Sequence, residues 1–580
     1  MTFRARPTTR TGRHGGHESD ARRNLYFNIG FGAVVILAVL LLVGAGAASW
    51  YGEHLTAVAV VNGETITKDG LRDRVAVEAF RLDTLESRTR EKVNAGRMSA
   101  AQGQQLLNYI AQQKQSLTNT AFEGEIDTTL MLQLAPKQKV TVTEAAIDAQ
   151  VTKDATTPES RHTFVITVTP ETSTGASAPT QAQKDAAKKK ADGLAADLVA
   201  GKTWEEVVTA SGDASAADTN GDLLFIDKGS TSPDAALVEA IFGLAAPGYT
   251  DVVEGADGAY RIGRLTEIAK EVVDTNYMKR ATDAGVSEKA YRRVAASLVA
   301  RDAVEAQLIA EVVEKPSEQR HVAEIAIEDN SGTEPAAGSV LVKHILYSPK
   351  NDASGAAALA PDDPAWKAAE DEATKAYDDL KAGMARFVDL AAGSDDSSSA
   401  ANNGFLPYFA KDDPSNSLDP AFAAAIFADG LQPGQLLAPV KSAFGWHVIE
   451  FVTSDSPTVR AQKLIAEASR PGVDFAKLAA DNSIASTAAK GGDLGWVARY
   501  QLPKAQEDAI FSTQANGVSN AIEGTGLTFY KVLEVTTRMP DDQQAKDLRS
   551  NAFSNWYTGI KNDPTQTTIE RLLDTTTTTG

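Results

Sequence analysis

No cysteine occurs in these 580 residues, which removes disulfides, thiolate metal sites and cysteine nucleophiles together. Histidine is almost as scarce. There are seven, three of them (His14, His17, His54) near the N-terminus, and none stands at the spacing of a metal-ligand cluster. No phosphate-cradling glycine loop and no Gly-x-Ser-x-Gly elbow is present, so neither motif supports a chemistry here. Positive charge is also short: 57 Lys and Arg face 77 Asp and Glu, for a net charge of −20. An acidic chain of this kind argues against nucleic acid as a partner. Aromatics are only 7%, yet the 43% hydrophobic content is ordinary for folded protein. The length is too great for one core and implies about three to five domains.

One absence is local. From Asn24 to Gly52 there is no charged residue, and Ile29–Ala48 is nearly all apolar. About 20 such residues at a rise of about 1.5 Å each span a bilayer core. Tyr26 and Phe27 precede the run and Trp50 and Tyr51 follow it, the placement of interfacial aromatics. Six arginines (Arg4, Arg6, Arg10, Arg13, Arg22, Arg23) against Glu18 and Asp20 make the preceding tail net +4, which leaves −24 on the remainder. The positive-inside rule keeps that tail cytoplasmic and exports the rest. A retained anchor is the reading the length of the run favours. Cleavage of a signal peptide after Ala45-Gly46-Ala47 is the alternative.

Beyond the apolar run, Val58–Val61 and Glu64–Thr67 read as strands joined by Asn62-Gly63, residues suited to a two-residue turn with φ > 0. Helical patterns run on to about Leu134, and Thr143 is a candidate N-cap for a helix through Ile147. The segment 270–315 is helical in pattern. His321–Ile327 reads as a strand. At the far end, Gln543–Asn562 is an amphipathic helix carrying Leu548, Phe553 and Trp556, expected to dock on the N-terminal helical region. Residues 574–580 read as a disordered tail.

Between these lies a threefold repeat. Its middle copy opens with the strand Val340–Leu346 containing His344. A helix follows from about Trp366 to Ala382, then Phe387 and Leu390, the acidic Ser394–Ser399 stretch, a short helix after Leu418-Asp419-Pro420, and the strand Phe444–Phe451 containing His447. The third copy repeats this order from Asp474-Phe475 through Gly491-Gly492-Asp493-Leu494-Gly495-Trp496 to Phe529–Leu533, with Tyr530 expected at the place of His447 and no histidine strand before its helix. The first copy runs from His162–Ile166 through Ser211-Gly212-Asp213 to Ala259–Gly263, with Tyr260 expected at that place.

Two histidines on neighbouring strands of a small α/β repeat resemble the parvulin family of peptidyl-prolyl cis-trans isomerases. The hairpin and helices before the repeats resemble the N-terminal chaperone segment of SurA- and PpiD-type foldases. The resemblance implies an α+β multidomain chain with an N-terminal transmembrane helix, a mostly helical chaperone domain, and about three parvulin-like α/β domains, each an antiparallel sheet with surrounding helices. The corresponding division is a basic tail (1–25), an anchor (26–51), a helical chaperone domain (52–155), a degenerate repeat (156–268), a helical connector (269–336), the most complete repeat (337–453), a second degenerate repeat (454–538), and a C-terminal helix with its tail (539–580).

For the middle repeat the resemblance assigns His344 and His447 a paired hydrogen-bonding role. Asp396 takes the position beside the substrate carbonyl, with its neighbour Asp395 as the alternative, and Leu418, Phe422 and Phe444 form the proline pocket. No cofactor or covalent step is implied, since an X–Pro bond has two forms within about 1 kcal/mol across a barrier of about 18–20 kcal/mol. The implied partners are unfolded or nascent secreted polypeptides with X–Pro bonds, met at the outer face of the cytoplasmic membrane. The rival reading is a non-catalytic anchored chaperone or scaffold in which all three repeats only bind peptide.

Overall fold

The computed structural model describes residues 49–172, 179–328, 335–411, 413, 416–523 and 526–573. The expected tail 1–25, nearly all of the expected anchor 26–51, and the threonine tail 574–580 lie outside the described residues. Among the described residues no helix is long and apolar enough to cross a membrane. The chain divides into two compact units, Met1–Asp302 with Thr568–Gly580, and Ala303–Thr567.

The first unit begins with the antiparallel strands Ala57–Val61 and Glu64–Thr67. Asn62 and Gly63 make the turn at φ 49° and 85°, the two positive angles such a turn demands. A third strand, Ile569–Arg571, pairs with Ala57–Val61, and Arg571 grips Glu123 through two bonds of 2.8 and 2.9 Å. The helices Lys68–Asn94, Ala100–Gln115, Leu117–Lys137 and Glu144–Ala155 follow. Three start on side-chain caps, Thr67, Ser99 and Thr143, each satisfying an otherwise orphaned backbone N–H.

The first repeat completes this unit. Its sheet runs in the order Asp222–Asp227, Ser160–Val168, Tyr260–Ala269, with two short strands beyond. The helix Gln181–Val199 lays Ala187, Ala191, Leu194 and Leu198 against Ile166, Trp204 and Ile262. Alternate residues of the strands meet these helices, as period-two side-chain placement requires.

The second unit holds the other two repeats. In the middle one Leu341–Tyr347 pairs with Trp446–Thr453, whose far edge carries Gln435–Leu436 and Val440–Lys441. The helix Pro364–Lys381, capped by Asp363 with proline at its first position, buries Ala373 and Ala376 on Ile345 and Val448. The helix Pro420–Ile426 starts the same way on Asp419 and buries Phe422 and Ile426 on the opposite face.

The third repeat corrects the expected division. Its sheet is Asp493–Ala498, Ser317–Ile327, Leu527–Arg538 and Ile522–Glu523, in that order. The segment 269–336, expected as a helical connector, thus supplies the central strand of this sheet, and the middle repeat is inserted between that strand and the rest. A histidine strand does precede the third repeat's helices in the fold; its last residue, Ile327, is separated from Pro457, where those helices begin, by the whole middle repeat. The helix Asp542–Asn562 also departs from expectation: Leu548 buries with Val312, Val313 and Ala498 of the second unit. Periodicity shows which face of a helix is apolar and not what that face meets. The element that joins the N-terminal hairpin is the strand Ile569–Arg571 instead.

Candidate functional site

His344 and His447 stand on adjacent antiparallel strands, with Leu346 opposite His447 and Ile449 opposite His344. Their rings stack at 5.2 Å and 16°, and the two Nδ1 atoms are 2.9 Å apart. Both residues are buried, at 4% and 5% exposure. On the outer side His344 Nε2 donates to Asp396 Oδ2 at 2.8 Å. On the other, Ser442 Oγ lies 2.7 Å from His447 Nε2 and accepts the N–H of Phe444 at 3.0 Å. The result is one hydrogen-bonded chain of four side chains, Asp396, His344, His447 and Ser442.

Local structure fixes each end. Asp396 is the N-cap of the short helix Ser397–Ala401, its Oδ1 accepting from the Ser398 amide and hydroxyl, so one carboxylate oxygen caps while the other faces the histidine. Asp395 turns away and accepts from the Ser348 N–H at 2.6 Å. Gly404, at φ 89°, closes the loop: its carbonyl accepts from the His344 N–H at 2.8 Å and its N–H donates to Ser399. A Cβ there would lie 2.8 Å from the Phe387 ring and 3.0 Å from the His344 carbonyl.

Electrostatics follow from burial and bonding. The hydrogen bond from His344, reinforced by Ser398, holds the Asp396 carboxyl well below the usual range. Desolvation, with His344 close by, lowers His447 to about 3, so its ring is neutral. When neither ring carries a charge, one arrangement satisfies every member. Ser442 O–H donates to His447 Nε2, His447 Nδ1–H to His344 Nδ1, and His344 Nε2–H to the carboxylate.

The expected apolar residues separate. Phe422 is buried and stands edge-on to both imidazoles, 5.8 Å from His344 and 5.0 Å from His447. Leu418 is half-buried in the same cluster as Phe422 and Ile426. Phe444 is 48% exposed and lies outside that cluster. Ser442 was not singled out in the sequence. Its signal was a hydroxyl five residues before His447, at the start of a Ser-x-Phe-Gly-Trp-His turn.

Backbone register now aligns the three repeats. The amides of His344, Val165 and Glu324 each donate at 2.8 Å to the glycine ending the loop, Gly404, Gly221 and Gly492. Ser394, Ser211 and Ser483 each accept the amide two residues on, at Asp396, Asp213 and Ala485. The residue opposite position +2 of the first strand is His447, Arg261 or Thr528. Tyr260 and Tyr530 therefore do not stand where His447 does. Neither does His162 take the place of His344, which belongs to Val165 three residues later. The offsets are one residue for Tyr260, two for Tyr530 and three for His162, because an apolar run buried on both faces reads nearly the same when shifted and only cross-strand partners define its register.

The flanking repeats share something else. His162 Nε2 bonds Asp222 at 2.9 Å and stacks on Phe225; His321 Nε2 bonds Asp493 at 2.9 Å and stacks on Trp496. The middle repeat has Leu341, Phe405 and Tyr408 at these positions, buried as an apolar cluster. In the first repeat Arg261 fills the imidazole's place, held bidentately by Asp257 at 2.8 and 2.5 Å.

Comparison with known proteins finds matches within each of the three repeats. Residues 344–453 match the PPIC-type PPIase domain, and residues 152–264 and 453–537 match a second family of the same description. The chain thus carries parvulin-type PPIase domains, and its mixed α/β multidomain architecture is built on them. It is similar to the Chaperone SurA of Methylobacillus flagellatus, 28% identical over 229 residues, covering 35% of this chain and 50% of that protein. It is also similar to the Chaperone SurA of Saccharophagus degradans, 25% identical over 232 residues, covering 36% and 52%. The chain therefore spans about half the length of the curated relatives it matches. Among solved structures, PrsA from Bacillus subtilis is 18% identical over 43% of this chain and 93% of its own, with a TM-score of 0.15. A SurA-like chaperone structure from Campylobacter jejuni is 16% identical over 44% and 99%, with a TM-score of 0.18.

Proposed function

We propose that the chain is a foldase whose middle domain isomerises X–Pro bonds in unfolded exported polypeptides and whose other domains hold them. The observation that carries this reading is the closed chain Asp396–His344–His447–Ser442 beside an apolar cluster, present in one repeat and dismantled in the two others. Isomerisation needs only a surface that favours the twisted amide over the planar one. A pocket of Leu418 and Phe422 takes the proline ring, Phe444 covers it from the rim, and the buried chain holds the adjoining wall rigid. The carboxylate of Asp396 is the group beside the substrate carbonyl. No proton need leave the network, and no cofactor or covalent bond takes part in the proposed step.

We place the protein at the outer face of the cytoplasmic membrane, anchored through residues 26–51 with its N-terminus inside, on the charge pattern described above. Its partners are unfolded or nascent secreted chains. The alternative, a purely binding role, is favoured for the flanking domains by Val165 and Arg261 in one and Glu324, Ala485 and Thr528 in the other. An isomerisation assay on the whole chain with a panel of X–Pro peptides tests the enzyme reading. Acceleration that Asp396→Ala and Leu418→Ala each reduce at least about tenfold, the scale of one lost transition-state interaction, is the expected result. Equal rates in wild type and both variants would leave only the binding role.

A further inference from the structure

The third domain has lost its own Asp396 equivalent, and the loop that would carry it has acquired another partner. Ser483 and Ala485, which align with Ser394 and Asp396, present their carbonyls to one side chain of the middle domain. Asn403 Nδ2 donates to Ser483 O at 3.0 Å and to Ala485 O at 2.9 Å. Around this pair the end of the preceding helix Phe475–Asn482 and the turn after the loop are met as well. Lys343 Nζ donates to Asp481 O at 3.1 Å, and Arg386 Nη2 donates to Ala489 O at 3.1 Å. Val388 packs on Ala480 and Ala488. In the other direction Arg460, bonded within the third domain to Asn482 O at 3.0 Å, lays its guanidinium 5.2 Å over the Phe405 ring of the middle domain.

These contacts converge on the residues that fix the histidine chain. Asn403, at φ 55°, is the residue before Gly404, whose carbonyl receives the His344 amide and whose own amide closes the Asp396 loop on Ser399. Lys343 precedes His344 on its strand and is 2% exposed, its ammonium held also by Glu450 at 3.0 Å. Both neighbours in sequence of the His344–Gly404 bond are thus tied to the backbone of the third domain. In the first repeat, which has no histidine chain to position, Asn220 precedes Gly221 and its amide donates to Glu205 within its own domain. A site held to a fraction of an ångström is usually held by bonds behind the residues that touch substrate.

We propose that the third domain is a positioning scaffold for the middle one: its vestigial loop, through Asn403, sets the Gly404 carbonyl and so the alignment of His344 with Asp396. This rests on the isomerase reading of the middle domain. Asn403 is a positioning residue, since its amide bonds the carbonyls of Ser483 and Ala485 and not the imidazoles. The insertion of the middle domain into the third, between Ile327 and Pro457, is the topology such a dependence needs, because both chain exits are then anchored to the same body.

The test uses the full chain with three substitutions. Asn403→Gly tolerates the positive φ and removes both donors. Asn403→Asp keeps the shape but sets a carboxylate against two carbonyls. Asn403→Ser keeps one shorter donor. The readouts are kcat and KM for X–Pro peptides and the imidazole 15N resonances of His344 and His447. We expect kcat to fall about tenfold in Asn403→Gly, the scale of one to two lost hydrogen bonds, with KM little changed. Asn403→Asp should fall further and Asn403→Ser less, and the ring nitrogens should shift in the same order. Unchanged ring resonances and kcat within about twofold in folded Gly and Asp variants would overturn the proposal. Should the wild type prove inactive, the isomerase reading fails, while the 15N series still decides the positioning claim by itself: graded shifts uphold it and unmoved resonances sink it.

Discussion

At the scale of single residues the site is governed by how two imidazoles share a dry wall. His447 falls from its ordinary 6.5 to about 3 because burial penalises its charged form. A base with a lowered pKa takes up its proton first in the unfolded chain, so acid favours unfolding from pH 6.5 downward until the folded value is reached. The expected cost from this one group is about 1.4 kcal/mol per pH unit through that window. Asp396 acts with the same sign but later: its stabilisation is complete above the ordinary carboxylate value and lost only as pH falls further. Denaturant unfolding at pH 7, 6, 5 and 4 should therefore show a slope in wild type that is markedly shallower in His447→Gln. Parallel pH profiles would mean the imidazole is not buried neutral. Ser442 gives a second prediction at this scale. Ser442→Ala leaves the His447 Nε2 and the Phe444 N–H unsatisfied together, a loss of about 1–3 kcal/mol in unfolding free energy. Ser442→Thr, which keeps the hydroxyl, should recover most of it.

At the scale of elements, the loop from Asp396 to Gly404 and the strand it serves behave as one piece. Gly404→Ala places a methyl between the Phe387 ring and the His344 carbonyl at a positive φ. It should destabilise the second unit by about 2–4 kcal/mol, read as a drop in denaturant midpoint with unchanged slope. The third domain yields a sharper outcome. A fragment 454–538 lacks Ser317–Ile327, the strand between its two longest partners, and should show no cooperative thermal transition, whereas 303–567 should unfold with one. The same element marks where sequence reading succeeded and stopped. The Asn62-Gly63 hairpin and the Thr143 cap were legible because each is a local rule about a few neighbouring residues. His344, His447 and Asp396 were legible as a set because a known family carries them in this order. What escaped was non-local. The strand was visible as 321–327, but nothing local says that its partners lie beyond an inserted domain. The slips of one and two residues that put Tyr260 and Tyr530 in the place of Arg261 and Thr528 have the same origin, since only cross-strand partners define register.

For the whole molecule the question is whether holding and isomerising are separable. Three copies of one architecture stand in the chain. One keeps Asp396, His344, His447 and Ser442 bonded in series. Another has an arginine clamped by Asp257 where an imidazole would be. The third has Glu324, Ala485 and Thr528 at the three positions. In the proposed division, the middle domain isomerises and the flanking domains hold clients, so only the middle one needs the buried pair His344 and His447. The two activities should then part cleanly under one substitution. In Asp396→Ala the isomerisation of X–Pro peptides should drop at least about tenfold, while the concentration of the chain needed to suppress aggregation of an unfolded, proline-free client should stay within about twofold of wild type, as expected for binding spread over surfaces the substitution does not touch. The carboxylate caps the five-residue helix Ser397–Ala401 and accepts from buried His344, so its loss should cost the unit about 2–4 kcal/mol, one cap and one unsatisfied N–H together. Loss of both activities together, with the fold intact by circular dichroism, would place client binding in the middle domain itself and reduce the flanking domains to scaffold.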